Sequence, residues 1–244
     1  MRQNAVRTLK GFLLNAFLPL GKTCYVWGGG WNAEDEGASL VARTMGVNPR
    51  WEEFYRLQGP EYNFREHPSN TDDGLDCSGY VGWAVYNTME TENGRPGYVM
   101  PSTDTARRLA EDYGFGTYTL AADITDRRPG DVMSVKGHVY IMLGTCSDGS
   151  AVFVHSSVHG VQPGSSPVPG SEDLTGSEAY ALAREFMEAK YPDYIAKFPK
   201  IARGRKYLEE YNQFRWSRDV LPDPEGIYEK SPRDILEELF CSRE

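Results

Sequence analysis

Apolar and polar positions along this chain follow two different periods, and the change between them divides it. Near the N-terminus Val6, Leu9, Leu13, Ala16, Phe17 and Leu20 recur three or four residues apart, the spacing of one helix face, and Gly21 ends the pattern. A helix over 3–20 is predicted. Arg50–Leu57 predicts a short helix, and the long apolar run after Cys77 predicts another over 78–89. Ser102 reads as the N-cap of a helix over 103–113, which Gly114 closes. The turn Arg128-Pro129-Gly130-Asp131 then introduces short β-branched runs, Val132–Val135, Val139–Leu143 and Ala151–Val154, which predict antiparallel strands. Residues 163–176 are rich in Pro, Gly and Ser and predict a loop. Helical spacing returns at Ala179, Ala183, Phe186 and Met187 and again at Tyr207, Leu208 and Tyr211; 214–221 predicts a last strand. Ser231 as cap and Pro232 in the first turn open a final helix. Helices first and strands afterwards predict an α+β fold with segregated layers, as one domain over 1–244.

Composition narrows the partners. Forty per cent hydrophobic and 12% aromatic residues over 244 positions suit one large globular domain. A net charge of −9 argues against nucleic acid and against an anionic membrane surface. No stretch approaches the roughly 18 apolar residues of a membrane span. Arg2, Arg7 and Lys10 ahead of the apolar 11–20 share the outline of an export signal, but Asn15 interrupts the run and the helical spacing continues through it. The four cysteines, Cys24, Cys77, Cys146 and Cys241, have no paired spacing, and no Cys/His cluster has zinc-site spacing. Neither a disulfide framework, a metal nor a cofactor is expected. Cys24, Cys146 and Cys241 read as packing or surface residues.

Cys77 is different. It sits in Gly74-Leu75-Asp76-Cys77-Ser78-Gly79, where the predicted helix begins. The partial positive charge of a helix N-terminus favours thiolate, which is the nucleophilic form. His138, opening the run Val139–Leu143, offers a base. A third polar group would fix its tautomer. If Thr145–Asp148 form a four-residue loop, His155 lies opposite His138; a two-residue turn at Asp148-Gly149 brings His159 there instead. Strand alternation puts all three histidines on one face in either register. Cys, His and an orienting group outline a site for cysteine-dependent acyl transfer.

Five segments in order then resemble the signatures of the NlpC-type cysteine peptidases, papain-like endopeptidases of bacterial cell-wall peptides. They are Tyr25-Val26-Trp27-Gly28-Gly29, Asp76-Cys77-Ser78-Gly79, Arg128-Pro129-Gly130-Asp131, Gly137-His138-Val139 with Ile141 and Leu143-Gly144, and Phe153-Val154-His155-Ser156-Ser157. The resemblance spans about half of the chain. It implies a helix carrying Cys77 packed on an antiparallel sheet. It further implies Cys77 as nucleophile, His138 as base and His155 as the orienting residue. Tyr25 would contribute its hydroxyl near the oxyanion, with Asp76 and Ser78 lining a subsite for a free amine. The implied reaction is hydrolysis of peptidoglycan stem peptides, at a bond of the γ-D-glutamyl–diamino acid type, through a thioester. The alternatives are a thiol acyltransferase or amidase of the same fold acting on another amide or ester, and an inactive binding module. Two regions depart from the family's pattern and read as insertions, 31–74 and 163–212; each is either peripheral or a border of the groove. Trp31, Trp51, Tyr55 and Tyr62 in the first are expected to pack in the core. The resemblance favours the cell envelope or the exterior, and the absence of a convincing export signal leaves a cytoplasmic setting open. Oligomeric state is not legible in the sequence.

Overall fold

A computed structural model describes residues 7–66 and 70–241; Val6 and the side chain of Cys241 lie outside the described positions. Thr8 caps the first helix by accepting a hydrogen bond from the Gly11 N–H at 3.1 Å, so α1 runs Leu9–Phe17, and Arg7 and Thr8 are not helical as the pattern predicted. It buries Phe12, Leu13, Ala16 and Phe17 and packs on α3. Helix α2 spans Pro49–Leu57, with the Asn48 side chain accepting from the Arg50 N–H. Helix α3, Cys77–Met89, is buried from Cys77 to Thr88, so it is a central helix without a solvent stripe. Helix α4 starts at Thr105 and ends at Glu111. Ser102 is not its cap: the Ser102 hydroxyl accepts from the Gly137 N–H at 3.0 Å, tying the start of α4 to the turn before His138.

Six strands form one antiparallel sheet: β1 Gly116–Thr119, β2 Val132–Val135, β3 His138–Thr145, β4 Ala151–Ser157, β5 Gly160–Ser166 and β6 Asn212–Trp216. Their spatial order is β1-β6-β2-β3-β4-β5. Between β5 and β6 lie α5 Glu178–Lys190, α6 Pro192–Lys197 and the single turn α7 Lys206–Glu209; α8, Pro232–Cys241, closes the described chain. The α+β class is as expected. Three strands depart from the sequence pattern: the last, expected over 214–221, is Asn212–Trp216, with a turn at 218–220. β1 was not foreseen, and β5 runs through Ser166, into the stretch expected to be loop. Pro163 is tolerated because β5 is an outer strand. Its free edge is then covered, with Ser165 N–H donating to Ile201 O and Arg203 N–H to Ser165 O.

Both faces of the sheet are covered. Val139, Ile141, Leu143, Val152 and Val154 face the core that holds α3. Tyr140, Met142 and Phe153 point the other way, under Leu208 and Tyr211. Strand alternation divides the two sets, and Tyr207, Leu208 and Tyr211 supply the second cover.

Candidate active site

The start of α3 is fixed by three interlocking contacts. The Asp76 carboxylate accepts from the Gly79 N–H at 2.6 Å and from the Ser78 hydroxyl at 2.8 Å, and Trp31 Nε1 donates to Ser78 Oγ at 2.9 Å. The Asp76 N–H donates to the Gly29 carbonyl at 2.9 Å. The glycine-rich loop therefore lies directly on the helix: a Cβ at Gly79 would sit 2.0 Å from the Gly29 oxygen. This close approach brings the Tyr25 side chain beside Cys77. Tyr25 is held from behind by the Tyr62 hydroxyl, which donates to its carbonyl at 2.6 Å.

A cleft of about 320 Å³ opens over Cys77. Tyr25, Asp76 and Ser78 line it together with Trp27, Trp31 and Asp35. Its volume suits a short peptide or a small ligand. Trp31 was expected in the core and is instead a wall of this cleft, whereas Trp51, Tyr55 and Tyr62 are buried as expected.

Cys77 is only 6% exposed. The backbone N–H groups of Val139, Ser78 and Cys77 itself favour thiolate. Burial outweighs them and, with the neighbouring Asp76 charge, pushes the thiol up to about 12. The thiolate expected from the helix N-terminus is thus not the resting form; desolvation wins over the dipole.

His138 Nε2 lies 2.9 Å from His155 Nδ1. Neither hairpin register foreseen for β3 and β4 occurs. Ile141 pairs with Val154 and Met142 with Phe153, and a bulge follows before Gly144 pairs with Val152. The bulge shifts His155 to a diagonal neighbour of His138 rather than the residue opposite, still on its face and within reach. His159 is elsewhere: its ring stacks on Phe198 at 4.9 Å and its carbonyl accepts from the Tyr25 N–H. Burial, with Arg203 as a second cause, pushes His138 down to about 3. Gly137, the residue before His138, lines the Cys77 cleft, so the neutral thiol and the neutral imidazole pair lie on either side of the start of β3.

The sequence reading missed two rings beside the imidazole pair. The Tyr207 ring lies 5.4 Å from the His138 ring and the Tyr211 ring 6.3 Å from it. Both tyrosines belong to the second apparent insertion; their spacing read only as a helical piece, and nothing local tied them to His138. The only other convergence of ligand-type groups among the described residues is Cys146, Asp148 and Glu178, whose donor atoms lie within 4.8 Å of one another. Asp148 and Glu178 already accept hydrogen bonds from Glu178 N–H, Ser150 and Ser147, which join the β3–β4 turn to the start of α5. No protein-family model matches the chain, and no curated protein or solved structure matches it.

Proposed function

We propose that this protein is a cysteine-dependent amide hydrolase of the NlpC type that cleaves peptidoglycan stem peptides, at a γ-D-glutamyl–diamino acid type of bond. The observation that carries the reading is the imidazole pair, His138 Nε2 to His155 Nδ1 at 2.9 Å, directly after Gly137, which lines the cleft over Cys77. In this reading the His138 Nε2–H donates to His155, which leaves Nδ1 free to accept a proton. The substrate carbonyl enters the cleft. Sulfur attacks carbon while His138 takes the thiol proton, and the carbonyl π pair moves to oxygen. The Cys77 N–H and the Tyr25 hydroxyl would hold that oxyanion. The C–N bond then breaks, His138 returns the proton to the leaving amine, and a thioester remains. Water, deprotonated by His138, releases the acid and restores the thiol. Because both partners are neutral at rest, this is general-base catalysis rather than a standing ion pair.

The test is mass spectrometry of digests of stem peptides and whole peptidoglycan. Native protein is expected to release peptide fragments with a new free amine. Cys77→Ala is expected to release none while keeping the native circular dichroism spectrum. An active Cys77→Ala protein ends the proposal. Aminolysis products exceeding hydrolysis when a competing amine is added would move the assignment to an acyltransferase.

A further inference from the structure

His155 has two ring nitrogens, and one of them has a partner. Nδ1 lies 2.9 Å from His138 Nε2, so one proton sits between the two rings. Nε2 is fully buried and meets no hydrogen-bonding group of the described protein. The strand register shows where it points. β4 and β5 pair antiparallel with His155 opposite Gln162 and Phe153 opposite Gly164, so these four residues share one face of the sheet. A Cβ at Gly164 would stand 3.2 Å from His155 Nε2. The Nε2 edge of the ring is therefore turned toward β5, and glycine leaves that approach clear. The neighbouring side chain on this face of β5 is Gln162.

Gln162 is fully buried and half satisfied. Its Nε2 donates to the Lys200 carbonyl at 2.9 Å, just before Ile201, whose carbonyl accepts from the Ser165 N–H at the edge of β5. A carbonyl only accepts, so the nitrogen end of the amide must face Lys200, and the amide's orientation is decided. Its Oε1 is buried without a partner. One orphaned ring nitrogen and one orphaned carbonyl oxygen thus belong to a directly facing pair, whose Cβ atoms stand about 5 Å apart. With a proton on His155 Nε2, donor meets acceptor there, directly or over one ordered water. With Nε2 bare, two lone pairs face each other and both groups stay unsatisfied.

We propose that Gln162 is a positioning residue for the Cys77 site: its carboxamide oxygen, facing His155 across β4 and β5, holds a proton on His155 Nε2 and so fixes the tautomers of both imidazoles. This rests on the reading of His138 as the base for Cys77. A neutral His155 with Nε2–H has a bare Nδ1, which accepts from His138 Nε2–H. A neutral His138 with Nε2–H has a bare Nδ1, the lone pair that takes the thiol proton. In the opposite tautomer His155 Nδ1–H donates to His138 Nε2. His138 then carries its proton on Nδ1 and has no lone pair left for Cys77. Both tautomers keep the 2.9 Å contact, so that contact alone does not choose between them. The acceptor on Gln162 does.

The test reads the ring tautomers by long-range proton–nitrogen NMR on protein labelled at its four histidines, near neutral pH, with each ring assigned by single substitution. Native protein is expected to show His138 and His155 both protonated at Nε2. Gln162→Met, similar in length but without an acceptor, is expected to move the pair toward Nδ1–H and to lower kcat for stem-peptide cleavage about tenfold with KM little changed. Gln162→Glu returns an acceptor and is expected to return Nε2–H. A bare Nε2 in native His155 overturns the proposal even where Gln162→Met does not fold. Oε1 would then serve another donor, such as Arg203, whose Nη1 already reaches the same Lys200 carbonyl. Native tautomers in a folded Gln162→Met overturn it too, whatever happens to kcat, and reduce Gln162 to a tie between β5 and Lys200. Native protein that cuts no stem peptide defeats the hydrolase reading instead, while the tautomers still report on Gln162.

Discussion

At the scale of single residues, Asp76 works against itself. Its carboxylate caps α3, yet it is buried, and burial pushes its pKa up to about 6 despite the hydrogen bonds from Gly79 and Ser78. The unfolded chain ionises this group near 4, so folding is favoured by it at low pH and that advantage is lost as pH rises through about 6. Asn caps a helix as well as Asp and carries no charge. Asp76→Asn is therefore expected to be more stable than the native protein by about 2 kcal/mol at pH 8 and to match it at pH 4, in paired urea titrations. Equal stability at both pH values would mean that the Ser78 and Gly79 bonds fully compensate the buried charge. The same substitution removes the second cause that raises Cys77, so alkylation at pH 8 is expected to quicken. Residue types were the most legible part of the site: Tyr25, Asp76, Cys77 and Ser78 share one cleft as read from their motifs. The ionisation of Cys77 was not legible, because a sequence shows a helix start but not how deeply the fold buries it.

At the scale of elements, the contact between the glycine loop and α3 sets where the sulfur sits. Ala is a better helix former than Gly by about 1 kcal/mol, so propensity alone favours Gly79→Ala. The added methyl, however, meets the Gly29 oxygen at 2.0 Å, backbone against backbone, with no side chain to swing aside. Gly79→Ala is expected to lose about 2 kcal/mol or more in a thermal or urea melt. Gly37→Ala, which would meet nothing within 4 Å, is expected to melt as the native protein does. Comparable stability of the two variants would refute the tight docking. Element types were readable where local pattern and tertiary role agree, as in α3 and in β2, β3 and β4. They were not where the fold overrides composition. Strand β5, Gly160–Ser166, has little strand propensity and exists because β4 pairs along its whole length and 201–203 seals its edge. The His138–His155 contact was foreseen for the wrong reason. A bulge after Met142, invisible in the sequence, makes it diagonal.

At the scale of the whole molecule, the sheet is closed by a strand that arrives late in the chain. β6 lies between β1 and β2, so β1 joins the sheet only through it. One buried carboxylate secures that junction. Asp131 is 1% exposed and accepts from Arg215 Nε at 2.9 Å and Nη2 at 2.8 Å, from Gln213 Nε2 at 2.8 Å and from the Arg128 N–H at 2.7 Å. Arg215 and Gln213 belong to β6, while Asp131 leads into β2, where Val132 pairs with Phe214. The Arg128–Asp131 segment is thus a structural clasp, and none of its residues lines the Cys77 cleft. Removing one partner of a buried pair leaves the other charge uncompensated, so Asp131→Ala is expected to destabilise the fold by about 3–5 kcal/mol, less whatever Asp126 retains through its own contact with Arg215. The loss should be local in native-state hydrogen exchange. Amides of β1 and β6 are expected to lose protection first, while those of β3, β4 and β5 keep theirs, and Cys77 alkylation at low temperature is expected to stay at the native rate. Uniform loss of protection, or altered alkylation in the folded variant, would show instead that the clasp and the Cys77 cleft are one cooperative unit.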